Sequence, residues 1–298
     1  MSSDLTVDVQ FFLAPADLRQ YLTAFCLINF AAPEGAMIPD ALLPEWGNLR
    51  FFSGVAPDAW IEGGDRLSGA HFVATGPSSC CVHFCQGTTR LWGAGLLPLG
   101  WAQFIRGPAG DLANRLVDGS RHPAFAHFTP LLTDLHQAPH DIAAELDRFV
   151  AFFRTLNRRG HREQQRIEAI HAALLDPAVS KVTELCERTG LGQRTIERTA
   201  HAAFGFSPKV LLRRQRLMRS LGRFILDPSA KWTGAIDDHY TDQPQFIRDF
   251  HDFIGMAPRE YATMPHPMVI PFIKARAKAF GDPLQTMHTV SDAGDQAG

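Results

Sequence analysis

The stretch Tyr240-Thr241-Asp242-Gln243-Pro244-Gln245-Phe246-Ile247-Arg248-Asp249-Phe250 decides how the chain is read. Asp242 is placed to accept a hydrogen bond from the first turn of a helix, and Pro244 is tolerated in that turn because its missing N–H would have no partner there. Phe246, Phe250 and Phe253 then recur at steps of four and three, which puts them on one helical stripe. With Trp232, Ile236 and Tyr240 upstream they supply a small core. Gln243, Gln245, Arg248 and His251 are left to face outward. Aromatic residues at this spacing read as core and not as a platform for stacking bases.

Working backward, the same pattern recurs at an offset of 50 residues, where Arg198 matches Arg248, Gly205 matches Gly255 and Pro208 matches Pro258. Ile196 is answered by Phe246 and Ser207 by Ala257. Two copies of one helical unit are implied. In each, Gly supplies the left-handed helix end and Pro opens the next helix. The first copy, from Val182 to Arg198, has the layout of a helix-turn-helix with Leu185, Leu191, Ile196 and Ala200 inside. Gln193, Arg194, Glu197, Arg198 and His201 remain on the exposed side of its second helix. Arg forks to guanine, Gln pairs with adenine and Glu accepts from cytosine, so these are residue types that read base edges.

Net charge at pH 7 is only −2, but its distribution is uneven. Residues 181–226 carry ten Lys and Arg against three Glu, a local excess of +7. Residues 227–261 carry seven acids against three bases, a local −4. A concentrated positive segment suits phosphates or an acidic membrane surface, and charge alone does not choose between them.

The stretch from about Arg166 to Tyr261 resembles the paired helix-turn-helix domain of AraC/XylS-type bacterial transcription regulators. The likeness is carried by Arg194-Thr-Ile-Glu-Arg198, Phe204-Gly-Phe-Ser-Pro208, Arg216-Leu217, Trp232, the opening stretch, Gly255-Met-Ala-Pro258 and Tyr261. It implies two units joined by a long helix near Pro208 to Leu226, which enter successive major grooves of double-stranded DNA. By resemblance Arg194, Glu197 and Arg198 belong to the first recognition helix, and Gln243, Gln245 and Arg248 to the second. Arg213, Arg214 and Arg219 on the joining helix are expected to contact phosphate or to pack. The pattern is departed from at Gly192, where a capping Ser is common, at Ala200, where Phe is usual, and at His239, where the turn is usually Gly. With its excess acid, the second unit is expected to hold DNA more weakly than the first.

The first half is rich in Gly, Pro and short apolar runs. Leu49–Ser53, Ala70–Thr75 and Cys81–Cys85 read as strands, and Ile142, Leu146, Phe149, Phe153 and Leu156 as one helical stripe that closes the first domain or helps a partner subunit dock. The expected class is α+β with two domains. The resemblance implies that the N-terminal β-rich domain over residues 1–160 is cupin-like and senses or dimerises, and that an all-α DNA-binding domain covers 161–265. A partly disordered tail follows over 266–298, with Lys274, Arg276 and Lys278 in a short helix and disorder beyond about Pro283. Asn157–His161 is the candidate linker.

The resemblance implies a small-molecule effector or a homodimer as modulator, and RNA polymerase as partner if the protein activates. His71, His83 and Cys85 lie on strands, but their spacing specifies no metal. No phosphate loop, nucleophile elbow or carboxylate pair appears, so the reading is of a protein without cofactor, metal or catalysis. The alternative is a cupin-like metal-binding or enzymatic barrel whose helical half is structural. Five cysteines suit free thiols in a reducing compartment, and no apolar run reaches the roughly 20 residues of a membrane span. A cytoplasmic location is the expectation.

Overall fold

The computed structural model describes residues 5–157 and 160–289. Ten strands make up the N-terminal region: β1 (Thr6–Phe12), β2 (Leu22–Ala31), β3 (Ile38–Leu42), β4 (Asn48–Gly54), β5 (Asp58–Trp60), β6 (Arg66–Ser68), β7 (Phe72–Thr75), β8 (Val82–Gln86), β9 (Thr89–Leu96) and β10 (Leu116–Asp118). Six pair antiparallel in the order β1-β2-β9-β4-β7-β10, and four form a second antiparallel sheet in the order β3-β8-β5-β6. Alternation sorts the larger sheet into two faces. Phe25, Leu27, Leu49, Phe51, Trp92 and Ala94 point to a helix-covered core. Cys26, Ile28, Arg50, Phe52, Leu91 and Gly93 point instead into a cavity shared with the smaller sheet. The fold is thus the double-sheet, barrel-like architecture expected for this half.

Short helices α1 (Pro98–Phe104) and α2 (Pro130–Asp134) precede α3 (Ile142–Leu156). Asp141 caps α3 by accepting from the Ala143 and Ala144 amides at 3.0 and 3.2 Å. The stripe predicted from sequence faces inward, with Phe149 4.7 Å from the Phe25 ring, so this face of α3 covers the sheet and is not a docking face for another subunit. Glu145 on the same helix is fully buried but receives Arg90, Trp92 Nε1 and His140 Nδ1. A buried carboxylate needs such partners.

The helical region comprises α4 (Gln164–Leu175), α5 (Val182–Thr189), α6 (Gln193–Thr199), α7 (Pro208–Leu226), α8 (Lys231–Ala235), α9 (Gln243–Ile254) and α10 (Pro258–Thr263). These are two helix-turn-helix units joined by a 19-residue helix. Gly205 and Gly255 take φ of 85° and 83°, the left-handed ends that the repeat predicted, and Pro208 and Pro258 open the following helices. Gly192 precedes α6 without a side-chain cap, and the helix runs on through a π-helical turn at Ala200–Phe204.

Apolar packing crosses the division expected at residue 160. One continuous cluster runs from the β-region through α4 and the first helix-turn-helix unit to Leu212. The second unit shares a separate cluster with Leu217, Leu221 and Ile225 of α7 and with Val269 and Ile273. These last two belong to α11 (Val269–Phe280), which lies along β1 with Phe272 and Phe280 against Phe11.

The expectation of a loose tail is therefore corrected for residues 266–289. Asp40 of β3 accepts from the Met268 and Val269 amides at 2.8 and 2.9 Å and so caps α11 from another element. Arg276 is buried beside Phe11, Phe280 and His288, which removes it from the basic surface expected there. Beyond Pro283, where disorder was expected, Gln285 accepts from the Trp46 amide at 2.9 Å, and Gln215 of α7 donates to the Thr286 carbonyl at 2.8 Å. The remaining tail and two linker arginines lie outside the described residues. Asp40→Ala is expected to cost about 1–2 kcal/mol and to speed amide exchange selectively over 266–289. Exchange mass spectrometry on the two proteins checks it.

Candidate functional site

The helix-turn-helix turns leave one face of α6 and of α9 uncovered. In the first unit, Leu185 of α5, Ile196 of α6 and Ala200 just after it are fully buried, while Gln193, Arg194, Glu197 and Arg198 of α6 and His201 beyond its end are exposed, the partition that spacing predicted. Gln193 Nε2 donates to Glu197 Oε1 at 2.9 Å along the helix. The face is not uniformly open. Arg198 lines a cleft with Gly107 and Pro108 of the N-terminal region and Arg166 of α4. His201 lies against Gly110 so closely that a Cβ there would come within 2.2 Å of its Nε2.

On α9, Gln243 and Arg248 are exposed. Gln245 differs from its expected role as a base reader. Its Oε1 accepts from the Thr241 amide and hydroxyl at 3.1 and 3.0 Å, while its own amide donates to Asp242 Oδ1 at 2.7 Å. This is a reciprocal cap, and it commits the Gln245 acceptor to the helix end. The signal was present in the sequence as Asp242 followed three positions later by Gln.

The joining helix contributes structure where phosphate contact was one expectation. Arg213 donates to Asp249 Oδ1 through Nε and Nη2 at 2.9 and 2.7 Å, and to Asp252. Arg216 reaches the other Asp249 oxygen at 2.7 Å, and Arg219 pairs with buried Asp237. Among the described residues Arg214 has no carboxylate partner. It is fully buried, its guanidinium carbon 4.0 Å from the Trp46 ring centroid and its Nη1 donating to the Ser78 carbonyl at 2.8 Å. Burial draws its pKa down to about 9. Arg214 and Arg219 are thus packing residues, and Arg213 is half-buried and tied to the second unit. The acid excess of that unit and the base excess of the joining helix largely neutralise each other across this contact.

Lys181 and Lys209, which motif reading did not single out, stand with Gln245 and Arg248 around a polar cleft between α7, α9 and the start of α5. Among the described residues no ion pair engages Lys181, Arg194, Arg198, Lys209 or Arg248. Arg194 and Arg198 lie on α6 and Arg248 on α9, while Lys181 and Lys209 border the cleft between α5, α7 and α9.

The second feature is the cavity between the sheets, about 120 Å³ in volume and roofed by Met268, Val269 and Phe272 around the start of α11. Val82, Phe84 and Gln86 of β8 face it, so His83 and Cys85 share the opposite face, where His83 stacks on Trp60. His71 bonds the Phe52 carbonyl at 3.2 Å. Among the described residues no three His, Cys, Asp or Glu are grouped to hold a metal ion. No helix of the described residues is long and apolar enough to cross a membrane.

A double-sheet region followed by paired helix-turn-helix units defines the architecture, in which the second helix of each unit presents one exposed polar face. No protein-family profile and no curated protein matches the chain. Solved structures that match include ToxT from Vibrio cholerae O395, at 9% identity over 87% of this chain and 96% of that one, with a TM-score of 0.41. The same protein bound to (E)-4-(8-methylnaphthalen-1-yl)but-3-enoic acid matches at 10% identity over 87% and 98%, with a TM-score of 0.42. Unsaturated fatty acid bound wild-type ToxT from strain SCE256 matches at 9% identity over 89% and 97%, also at 0.42. The likeness is one of loose overall shape.

Proposed function

We propose that the chain is a sequence-specific DNA-binding transcriptional regulator of the AraC type, which places α6 and α9 in successive major grooves of double-stranded DNA. One observation carries the reading: two helix-turn-helix units repeat at an offset of 50 residues, and each exposes base-reading side chains on its second helix. Gln193, Arg194, Glu197 and Arg198 serve the first half-site, and Gln243 and Arg248 the second. Lys181 and Lys209 fit phosphate between them. The assignment of His201 is conditional on its leaving Gly110, and Gln245 acts by holding the helix end.

In this reading residues 1–160 sense a small molecule or dimerise, 161–265 read DNA, and 266–289 tie the two together. The protein works in the cytoplasm as a regulator and not an enzyme, without a cofactor, and meets RNA polymerase where it activates. An effector acts only by binding two states of the chain unequally. The contact of His201 and the cleft at Arg198 are where an effector-driven movement would change access to α6, since the N-terminal region borders its C-terminal end.

Selection of duplexes from a random pool by the full chain tests the proposal. A two-part site with halves about one helical turn apart is expected, with affinity falling steeply as salt rises. Failure to enrich any sequence, with no salt dependence, overturns it. Arg198→Ala is expected to lose about 1–3 kcal/mol of discrimination at one base position. Equal weakening on selected and random duplexes would assign Arg198 to phosphate.

A further inference from the structure

Apolar side chains make up most of the wall of the cavity between the sheets, and most of its polar groups are already engaged. Among the described residues, Arg50 carries the only formal charge on its wall. It donates to Glu45 at 2.5 Å through Nη2 and to Thr75 at 3.1 Å through Nη1. Gln86 donates to the Val55 and Gly87 carbonyls, Thr89 to Ser53, and Asn48 exchanges hydrogen bonds with Gln285. None of these side chains keeps a buried atom without a partner.

We infer that the cavity is a binding site for an uncharged, apolar molecule of about single-ring size, such as benzene or toluene. The charge class follows from the Arg50–Glu45 pair. An entering carboxylate would have to compete with Glu45 for Arg50, and weakening that pair costs the largely buried Glu45 carboxylate its main compensation, a penalised arrangement. An entering cation finds only the Arg50 guanidinium. An apolar molecule disturbs no hydrogen bond and replaces empty space with contacts. The size follows from the volume: about 120 Å³ is close to the roughly 150 Å³ of an engineered apolar cavity that stays dry and takes benzene. The occupant touches Met268, Val269 and Phe272, and these lead into the segment that reaches α7 through Gln215 and Thr286. That it acts as an effector rests on the regulator reading, whereas the site and its charge class do not.

Toluene and benzoate share a ring and differ in charge, so they test the inference on the full chain at about pH 8, where Glu45 is best kept ionised. Saturable toluene binding is expected in melting-temperature shifts and in saturation-transfer NMR, with benzoate at least about tenfold weaker. Ile28→Phe and Val73→Phe, each filling the cavity from a different strand, are expected to abolish toluene binding, and either folded variant suffices. Glu45→Gln, which frees the Arg50 charge, is expected to shift the preference toward benzoate. Absence of saturable toluene binding, equal affinity for benzoate, or toluene binding untouched in a folded filled variant overturns the inference. Duplex binding by the same preparation separates the two proposals: toluene bound without DNA sinks the regulator reading alone, and DNA bound without toluene sinks this one alone.

Discussion

Asp249→Ala is expected to destabilise the chain by about 3–5 kcal/mol and to release the second helix-turn-helix unit from the joining helix. The carboxylate is buried, and its two oxygens hold Arg213 and Arg216 at the same time. Removing it leaves a guanidinium stacked 4.3 Å from the Tyr240 ring centroid with its main acceptor gone, and a second one with only Asp252 left. Asp252→Ala is the control. That side chain is 58% exposed, so its bridge to Arg213 is screened, and the loss is expected within about 1 kcal/mol. Urea unfolding of the three proteins checks the contrast. Similar small losses for both would mean that the pair is dispensable and that aromatic packing of Trp232, Phe246 and Phe250 holds the unit alone.

The joint between the β-region and the helices is expected to fail in mild acid. His171 of α4 is buried beside Trp46, Phe204 and Arg214, and burial, with the Arg214 cation added, lowers its pKa to about 4. His288 is buried beside Arg276, and the same two causes take it to about 3. Both are neutral when folded, whereas the unfolded chain takes up their protons below about pH 6.5. Their contribution is full above that pH and falls as pH drops toward 4. By about pH 5 each histidine has lost roughly 2 kcal/mol. Folded carboxylates such as Glu145, in which burial is outweighed by hydrogen bonds from Arg90, Trp92 and His140, titrate below their usual range. They lose stability only at lower pH, so the windows separate. Unfolding free energies from about pH 7 to 5 are expected to fall markedly for the native sequence and about 2 kcal/mol less for His171→Phe. An equal fall in both would remove His171 from the account.

Local chemistry explains what could be read in advance. Asp242, Gly205, Gly255, Pro208 and Pro258 act within one or two turns of their own position, so a repeat of them places helix ends without knowledge of the rest of the fold. The same holds for the exposed sides of α6 and α9, which follow from period alone. What stayed hidden involves partners far apart in sequence. Arg213, Arg214 and Arg219 look alike in a basic segment, and only the third dimension assigns one to Asp249, one to the Trp46 face and one to Asp237. The region after Met264 read as tail because its helix is capped from β3 by Asp40 and its apolar side meets a strand near the start of the chain. Neither partner is visible in a local window.

The seal made by α11 also sets an order of events during synthesis. The strands that wall the cavity are complete once β9 has been made, at residue 96, while the roof begins at residue 268. At about 5–20 residues per second the ribosome takes roughly ten seconds or more to cover that distance. Once the helices that cover the other face of the sheet have also emerged, the nascent β-region still lacks that one wall, and a small apolar molecule in the surrounding fluid meets an open door. After release, the same molecule must wait for the Asp40 cap and the Gln285 bonds to part. The newborn and the finished protein should therefore differ less in how tightly they hold an occupant than in how quickly they admit one.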